Sequence, residues 1–309
     1  MTPRSTVSGG DATGLAITLT LVTVVIFGIQ DAAAKILVTT YSPFQITMMR
    51  YWAFAAFAIW LVSRQAPLRQ AMRSQVPGLQ LARGGLLMAD IWLYALALQS
   101  VPLGELQSIS LVYPLLVTLF AIPLLGERVG MFRIVAIAVG FLGAMIIVRP
   151  GGLPLDWGVL FAIASATCYA LYVVLTRKVS ARDSTATSMV YVGVVGVVLS
   201  GSIGFFFWQP MAWSDIGLVA VVMITTCAGH GLMMLALSRA PASVLQPFNY
   251  FSLPWAIFLG AAVFNTWVDP LSLAGAAIIV GAGLVVMARE RARGRAKPPQ
   301  DSAVGPGKD

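Results

Sequence analysis

The sequence predicts an all-α membrane protein whose ten transmembrane helices form two inverted five-helix repeats. Three observations predict it. Hydrophobic residues make up 58% of the chain and charged residues 10%, whereas soluble domains run at about 45–50% and about 25%. So little charge cannot cover a water-facing surface of this size, and lipid must be the solvent. The apolar residues fall into ten runs near the length of about 20 residues that spans a bilayer. Finally, a stretch beginning at Leu98 returns in diluted form from Leu237.

The ten runs are 14–35, 43–63, 77–98, 102–124, 130–148, 156–178, 186–207, 213–237, 242–264 and 270–288. Irregular backbone cannot face lipid, so each run should be helical. Their connections are short and punctuated by Pro43, Pro67, Pro77, Pro102, Gly126, Pro150, Pro210, Pro241 and Pro270, residues that end or start helices. No linker is long enough to separate soluble domains. Residues 1–13 form a polar N-terminal tail and 289–309 a basic, Pro- and Gly-rich one, both expected without ordered structure. No small-residue cleavage site follows the first run, which should therefore stay as an anchor.

Basic residues set the orientation. Counting sides by alternation, one holds Arg4, Arg64, Arg69, Arg73, Arg128, Arg133, Arg177, Lys178, Arg182, Arg239, Arg289, Arg291, Arg293, Arg295, Lys297 and Lys308, sixteen in all. The other holds only Lys35 and Arg149. Both termini are therefore expected in the cytoplasm, with the chain in the inner membrane. This distribution also excludes nucleic acid as the partner of the +8 net charge, because the basic residues lie in short loops and a tail and form no face.

The echo gives the runs their grouping. Leu98 with Leu237, Pro102 with Pro241 and Gln107 with Gln246 are 139 apart; Pro114 with Pro254 and Gly143 with Gly283 are 140 apart, which predicts one inserted residue between them. Long self-similarity marks internal duplication. Each half, 14–148 and 156–288, then has five spans, and an odd number forces the second half to insert upside down. Inverted repeats of this kind frame many secondary transporters, with the substrate site near the midplane.

Ionisable groups at membrane depth cost free energy and point to function or to pairing. Asp31 and Lys35 share a face of the first span, where they form either part of a cavity wall, with Thr20, Thr23 and Phe27, or an interfacial ion pair. Arg50 lies roughly 10 Å into the second span, at about 1.5 Å per residue, and either holds an anionic substrate group or neutralises Asp31 or Glu105. Arg83, Leu87, Asp90 and Tyr94 share one face of the third span. Arg83 is near enough to the cytoplasmic end to snorkel. Asp90 is not, and must be protonated or paired. Glu105, one turn into the fourth span, suits either coupling or the helix dipole. His230, the only histidine, lies beside the position matching Asp90 and is either a hydrogen-bonded core residue or a coupling group, histidine being the side chain type that titrates near neutrality without help.

Polar and aromatic stripes suggest the rest of the site. Gln107 and Ser110 match Gln246 and Asn249, with Tyr250 and Leu253 continuing the second face; Tyr169 and Tyr172 mark the sixth span, and Trp92 and Tyr94 the third. Such groups suit a flat organic substrate, stacked on one side and hydrogen-bonded on the other, or equally hydrogen bonds between helices. The substrate-binding candidates are thus Arg50, Asp90, Trp92, Tyr94, Gln107, Tyr169, Tyr172, Gln246, Asn249 and Tyr250. The candidates for coupling to a proton or an exchange partner are Asp31, Asp90, Glu105 and His230. In the fifth and tenth spans Ala136, Gly140 and Ala144, and Ala277 and Gly281, are spaced for close helix packing.

The five-plus-five pattern, LGERVG after the fourth span, GFLGAMIIVRPG ending the fifth and MRYW in the second together resemble the drug/metabolite transporter superfamily, in its EamA-type branch. The resemblance covers nearly the whole chain, although the second copy has Asn265–Thr266 in place of the Gly-Glu turn. It implies a ten-helix inner-membrane carrier whose central cavity is lined by spans 1–4 and 6–9, with spans 5 and 10 outside. FGIQDAAAKIL followed by Arg50 looks most like members that take up riboflavin or S-adenosylmethionine, and amino-acid and drug exporters share the frame.

Rival classes lack their signatures. A membrane-embedded enzyme would need an acid cluster, an HExxH or a nucleophile with its base. A channel would need a filter sequence or a pore ring, and an ATP-driven pump a Walker A loop. Cys168 and Cys227 lie singly in apolar runs and read as packing residues. The sequence calls for no cofactor and no metal. Its partners are a small-molecule substrate and the bilayer, with monomer and homodimer both open.

Overall fold

Proline and capping side chains set most of the helix starts in the computed structural model, which describes residues 9–64, 67, 69, 72–127, 130–148 and 156–295. The expectations for Arg4, Arg128, Arg149 and the end of the tail lie outside the described residues. Twelve α-helices occur in order among those described: α1 Gly9–Leu37, α2 Pro43–Ser63, α3 Pro77–Ser100, α4 Leu103–Ser110, α5 Tyr113–Leu125, α6 Met131–Ile147, α7 Trp157–Ser180, α8 Thr185–Gly204, α9 Ile216–Leu237, α10 Ala242–Asn249, α11 Ser252–Phe264 and α12 Pro270–Arg295. Ser42 caps α2 by accepting from Phe44 N, Asp156 caps α7 by accepting from Val159 N, and Ser184 caps α8 by accepting from Thr187 N. Each satisfies a donor that the first turn leaves orphaned. Taking α4–α5 and α10–α11 each as one broken segment, nine helices are long and apolar enough to cross a membrane among the described residues, and Met131–Ile147 is a shorter apolar helix.

The structure departs from the sequence expectations at two broken runs, at the expected insertion and at both tails. The fourth and ninth runs are each broken, at 111–112 and at 250–251. Pro114 and Pro254 have no N–H for the carbonyls four residues back, Ser110 and Tyr250, so the hydrogen-bond ladder is interrupted where the helices break. The one-residue insertion is not seen in the helix bounds: α9, α10, α11 and α12 begin 139 residues after α3, α4, α5 and α6. The N-terminal tail is helical from Gly9 and the C-terminal one through Arg295; Ala and Arg, frequent in the latter, are good helix formers.

The main packing pairs are α1 with α9, α2 with α8, α3 with α7, α4 with α11 and α6 with α12. Each joins a helix before residue 150 to one after it. The crossing of α6 and α12 falls at Gly143 and Gly275, where a Cβ on either would meet the other's carbonyl oxygen. Of the expected small-residue stripe, Gly140 faces Leu115 and, on α12, Ala282, while Gly281 faces nothing within 4 Å.

Contacts divide the loops between two ends. Asp183 meets Ser74 and Gln75, Arg177 meets Glu127, and Arg289 lies over Phe132, gathering the loops rich in Lys and Arg at one end. At the opposite end Tyr41 donates to Asp215 (2.7 Å) and accepts from Ala212 N (3.0 Å), while Gln45 exchanges two hydrogen bonds with the backbone of Gln209. The largest apolar cluster fills that opposite end, with Leu37, Leu98, Leu103, Leu106, Ile147 and Ile279 at its centre.

Candidate functional site

A cavity of ≈ 890 Å³ occupies the middle of the bundle, in the size range of small-molecule sites. Its walls come from α1–α4, the first residue of α5, α7–α9, Asn249 of α10 and α11. Helices α6 and α12 contribute nothing, as the family resemblance implies. At the basic end the lining includes Ser180, Ser184, Thr185 and Leu237, all exposed. At the other end it stops at Leu103, 1% exposed within the apolar cluster. The cavity therefore opens at the basic end and is blind at the other.

Three charged groups form its centre. Asp31 of α1 accepts from the Tyr94 hydroxyl at 3.1 Å, and Asp90 of α3 accepts from the Ser165 hydroxyl at 2.6 Å. Arg50 of α2 is close enough for its charge to act on Asp31, on Asp90 and on His230. Among the described residues it makes no ion pair within 4.0 Å and no hydrogen bond, so its donors remain open to the cavity. His230 is bracketed by the rings of Phe27 at 5.4 Å and Phe54 at 4.8 Å. The sequence expected these residues in one place, and the helical spacing of Phe27 with Asp31 and of Arg83, Leu87, Asp90 and Tyr94 brings them there. Thr20 and Thr23 of the first stripe instead turn onto their own helix, donating to Ala16 O and Leu19 O.

An aromatic wall faces a polar one. Tyr113 and Tyr169 meet edge to face at 4.9 Å, and Tyr172 follows Tyr169 at 5.8 Å. Gln107, Ser110, Asn249 and Ser252 also line the cavity, with Gln107 Nε2 donating to Ser252 Oγ at 2.9 Å. This arrangement offers stacking surface together with hydroxyl and amide groups.

Several expected site residues lie elsewhere. Trp92 packs on Phe44 at 5.6 Å and does not line the cavity, because a residue two places from Asp90 falls on the opposite side of the helix. Gln246 is outside the lining, its Oε1 accepting from Tyr113 OH at 3.4 Å and Asn249 Nδ2 at 3.3 Å. Tyr250, at the helix break, turns outward against Gly283 of α12. Glu105 is 8% exposed in the blind end, within reach of the charges of Lys35 and Asp269, and one of its carboxylate oxygens has no partner. Lys35 does not pair with Asp31. Its ammonium donates to Leu98 O at 2.7 Å and Val101 O at 2.8 Å, carbonyls that the end of α3 leaves free. Arg83 does not snorkel either, being 2% exposed on the cavity wall.

Lining residues absent from the set that the sequence singles out include Ser165, Thr176, Ser188, Thr226 and Ser252. A signal for two of them is present: Ser165, Tyr169, Tyr172 and Thr176 are spaced four, three and four, one continuous face of α7. Thr226 donates to Gln30 at 2.8 Å, linking α9 to α1. Among the described residues no three His, Cys, Asp or Glu side chains are grouped as a metal site would need.

Comparison with known proteins agrees with this architecture. The EamA-like transporter family profile matches residues 14–149 and again 156–288. A riboflavin transporter of Vibrio cholerae is 32% identical over 239 residues, 76% of this chain and 79% of that protein. An S-adenosylmethionine uptake transporter of Rickettsia prowazekii is 22% identical over 271 residues, 88% of this chain and 92% of that protein. A crystal structure 20% identical in sequence shares the fold at a TM-score of 0.61, covering 94% of this chain and all of the other.

Proposed function

We propose a way of working for this chain, which belongs to the EamA-like transporter family and is a multi-pass membrane transporter of a small metabolite: it is a ten-span secondary carrier of the inner membrane that moves its substrate by alternating access. The ten spans count α4–α5 and α10–α11 as one each and include the short α6. They divide into inverted repeats, 14–148 and 156–288, a reading supported by the two family matches and by the helix starts that recur at 139 residues. The bias of Lys and Arg supports cytoplasmic termini, so that the cavity's open end faces the cytoplasm. Cysteines placed in 36–42 and 265–269 should then label from outside the cell, and those in 64–74 should not.

The observation that carries the reading is the cavity itself, walled by both halves, closed at one end and open at the other. Rocking the halves about Arg50, Asp31 and Asp90 would exchange the open and closed ends. The tyrosine wall suits a flat heteroaromatic ring, and the acids, Arg50 and amides suit a polar appendage. Riboflavin is therefore the first candidate for uptake and S-adenosylmethionine the second, in keeping with the named relatives. Monomer and homodimer fit this mechanism equally.

Uptake of each labelled compound into vesicles without ATP tests the assignment. Saturable riboflavin or S-adenosylmethionine uptake, competed by unlabelled substrate, is the expected result. Absence of uptake of both, with either membrane orientation, would rule out this substrate class.

A further inference from the structure

We propose that the open end of the cavity holds a second, oxyanion-binding subsite centred on Arg83, which takes a carboxylate or a phosphate group. Arg83 is 2% exposed, and its partners are neutral. Nη2 donates to Ser188 O at 2.7 Å, Nη1 to Thr176 Oγ1 at 3.4 Å, and the guanidinium lies over the Tyr172 ring at 5.5 Å. Nε has no partner. Asp183 is the one described acid whose charge reaches Arg83, but no ion pair joins them within 4.0 Å. Its carboxylate is already taken by Ser74 Oγ (2.5 Å), Gln75 N (2.8 Å) and Gln80 Nε2 (2.8 Å).

A buried guanidinium with no direct ion pair among the described residues is costly, because neutral hydrogen bonds and the more distant Asp183 charge replace only part of its lost hydration. Most buried arginines avoid this by pairing. Here the charge is held on a cavity wall instead, beside the hydroxyls of Thr176, Ser184 and Ser188; Asp183 lines the same end, its carboxylate occupied by Ser74, Gln75 N and Gln80. A planar fork of donors matches a carboxylate or a phosphate better than any neutral group. The basic-end position makes Arg83 the first cation on the cavity lining from the open side, with Arg50 deeper in the same cavity. An anionic group entering there has two cations to move between.

The subsite lies in the carrier's cavity, and so its role in transport rests on that reading; its existence does not, since binding is measured without transport. The test uses the full-length protein in neutral detergent, with inorganic phosphate replacing chloride at constant ionic strength, and thermal unfolding as the readout. In a second arm the protein sits in bilayer discs with or without phosphatidylglycerol, which separates a lipid phosphate from a soluble one. Phosphate should raise the unfolding temperature of the wild type, and Arg83→Gln should weaken its apparent affinity by roughly tenfold or more. A rise confined to the phosphatidylglycerol arm and lost in Arg83→Gln would assign the same subsite to a headgroup. An equal rise in wild type and Arg83→Gln, or no rise in either arm, overturns the proposal. Should Arg83→Gln fail to fold, Arg83→Lys decides: a reduced response supports the guanidinium, and an unchanged one refutes it. Failure of riboflavin and S-adenosylmethionine uptake with the phosphate response intact would sink the substrate assignment and leave this subsite standing.

Discussion

Gly126 and Asn265 hold the same left-handed helix-end conformation 139 residues apart, at φ 69°, ψ 22° and φ 52°, ψ 32°. The hydrogen bonds match as well. Gly126 N donates to Ile122 O and Glu127 N to Ala121 O; Asn265 N donates to Ala261 O and Thr266 N to Gly260 O. Both are the paired closure of a Schellman turn. Asn is among the few side chains that tolerate this region, so the change from Gly-Glu to Asn-Thr alters the residues and keeps the turn. Gly126→Ala and Asn265→Ala should each destabilise by about 1 kcal/mol, while Asn265→Gly should be neutral or better. Unfolding temperatures in detergent check the order; an Asn265→Gly loss as large as that of Asn265→Ala would contradict it.

Arg50 lines the cavity and makes no ion pair among the described residues, so its removal should spare the fold. Arg50→Gln should lower transport by at least about tenfold, the scale of one charge-assisted hydrogen bond, at wild-type membrane levels. Quantified uptake beside immunoblotting separates the two effects. A loss of protein in proportion to activity would make Arg50 a structural residue.

The two glutamines matched by the 139 spacing should now behave differently. Gln107 is on the lining and Gln246 is off it. Gln107→Ala should weaken substrate binding by about 1–2 kcal/mol, and Gln246→Ala by less than about 0.5 kcal/mol. Titration of substrate into both variants measures this, and equal losses would place Gln246 in contact with the substrate.

Energy coupling turns on Asp90. A proton-driven carrier needs a group that changes protonation as access alternates, and Asp90 combines cavity lining, the Ser165 hydrogen bond and the nearby Arg50 charge. Asp31 and His230 line the same space, whereas Glu105 does not. Asp90→Asn should keep substrate exchange across vesicles and lose accumulation driven by a pH gradient. Wild-type transport indifferent to a collapsed gradient would remove the proton from the scheme.

Asp183 tests the basic end by pH. Burial pushes its carboxyl up, but hydrogen bonds from Ser74, Gln75 N and Gln80, with the Arg83 charge, outweigh that and hold it below the usual range. A group depressed in this way stabilises the fold fully above the unfolded carboxylate value and loses that contribution as pH falls through the folded value. Protection factors for hydrogen exchange in 72–76 and 181–188, corrected for the intrinsic pH dependence of exchange, should therefore fall below about pH 4 in the wild type and stay constant there in Asp183→Asn. Identical pH profiles would show that the clamp carries no linkage.

The sequence by itself determined what depends on composition and on spacing along one helix. Lipid as solvent, the apolar segments and their proline boundaries could be read from residue order, because bilayer thickness and missing N–H groups act locally. So could the joint placing of Arg83, Asp90 and Tyr94, since one helix face is settled by 3.6-residue periodicity. Only the tertiary structure decided which way each helix turns about its axis and what it meets. That rotation sends Trp92 to Phe44 and leaves Asp90 with Ser165. The breaks before Pro114 and Pro254 re-aim the residues beside them, which turns Tyr250 toward Gly283. Lys35 finds the carbonyls of α3 and not Asp31, because a helix end 63 residues away in the chain is packed beside it. Arg83 stays inside because α7 and α8 close over it with a hydroxyl, a carbonyl and a ring, partners that no spacing along α3 could reveal.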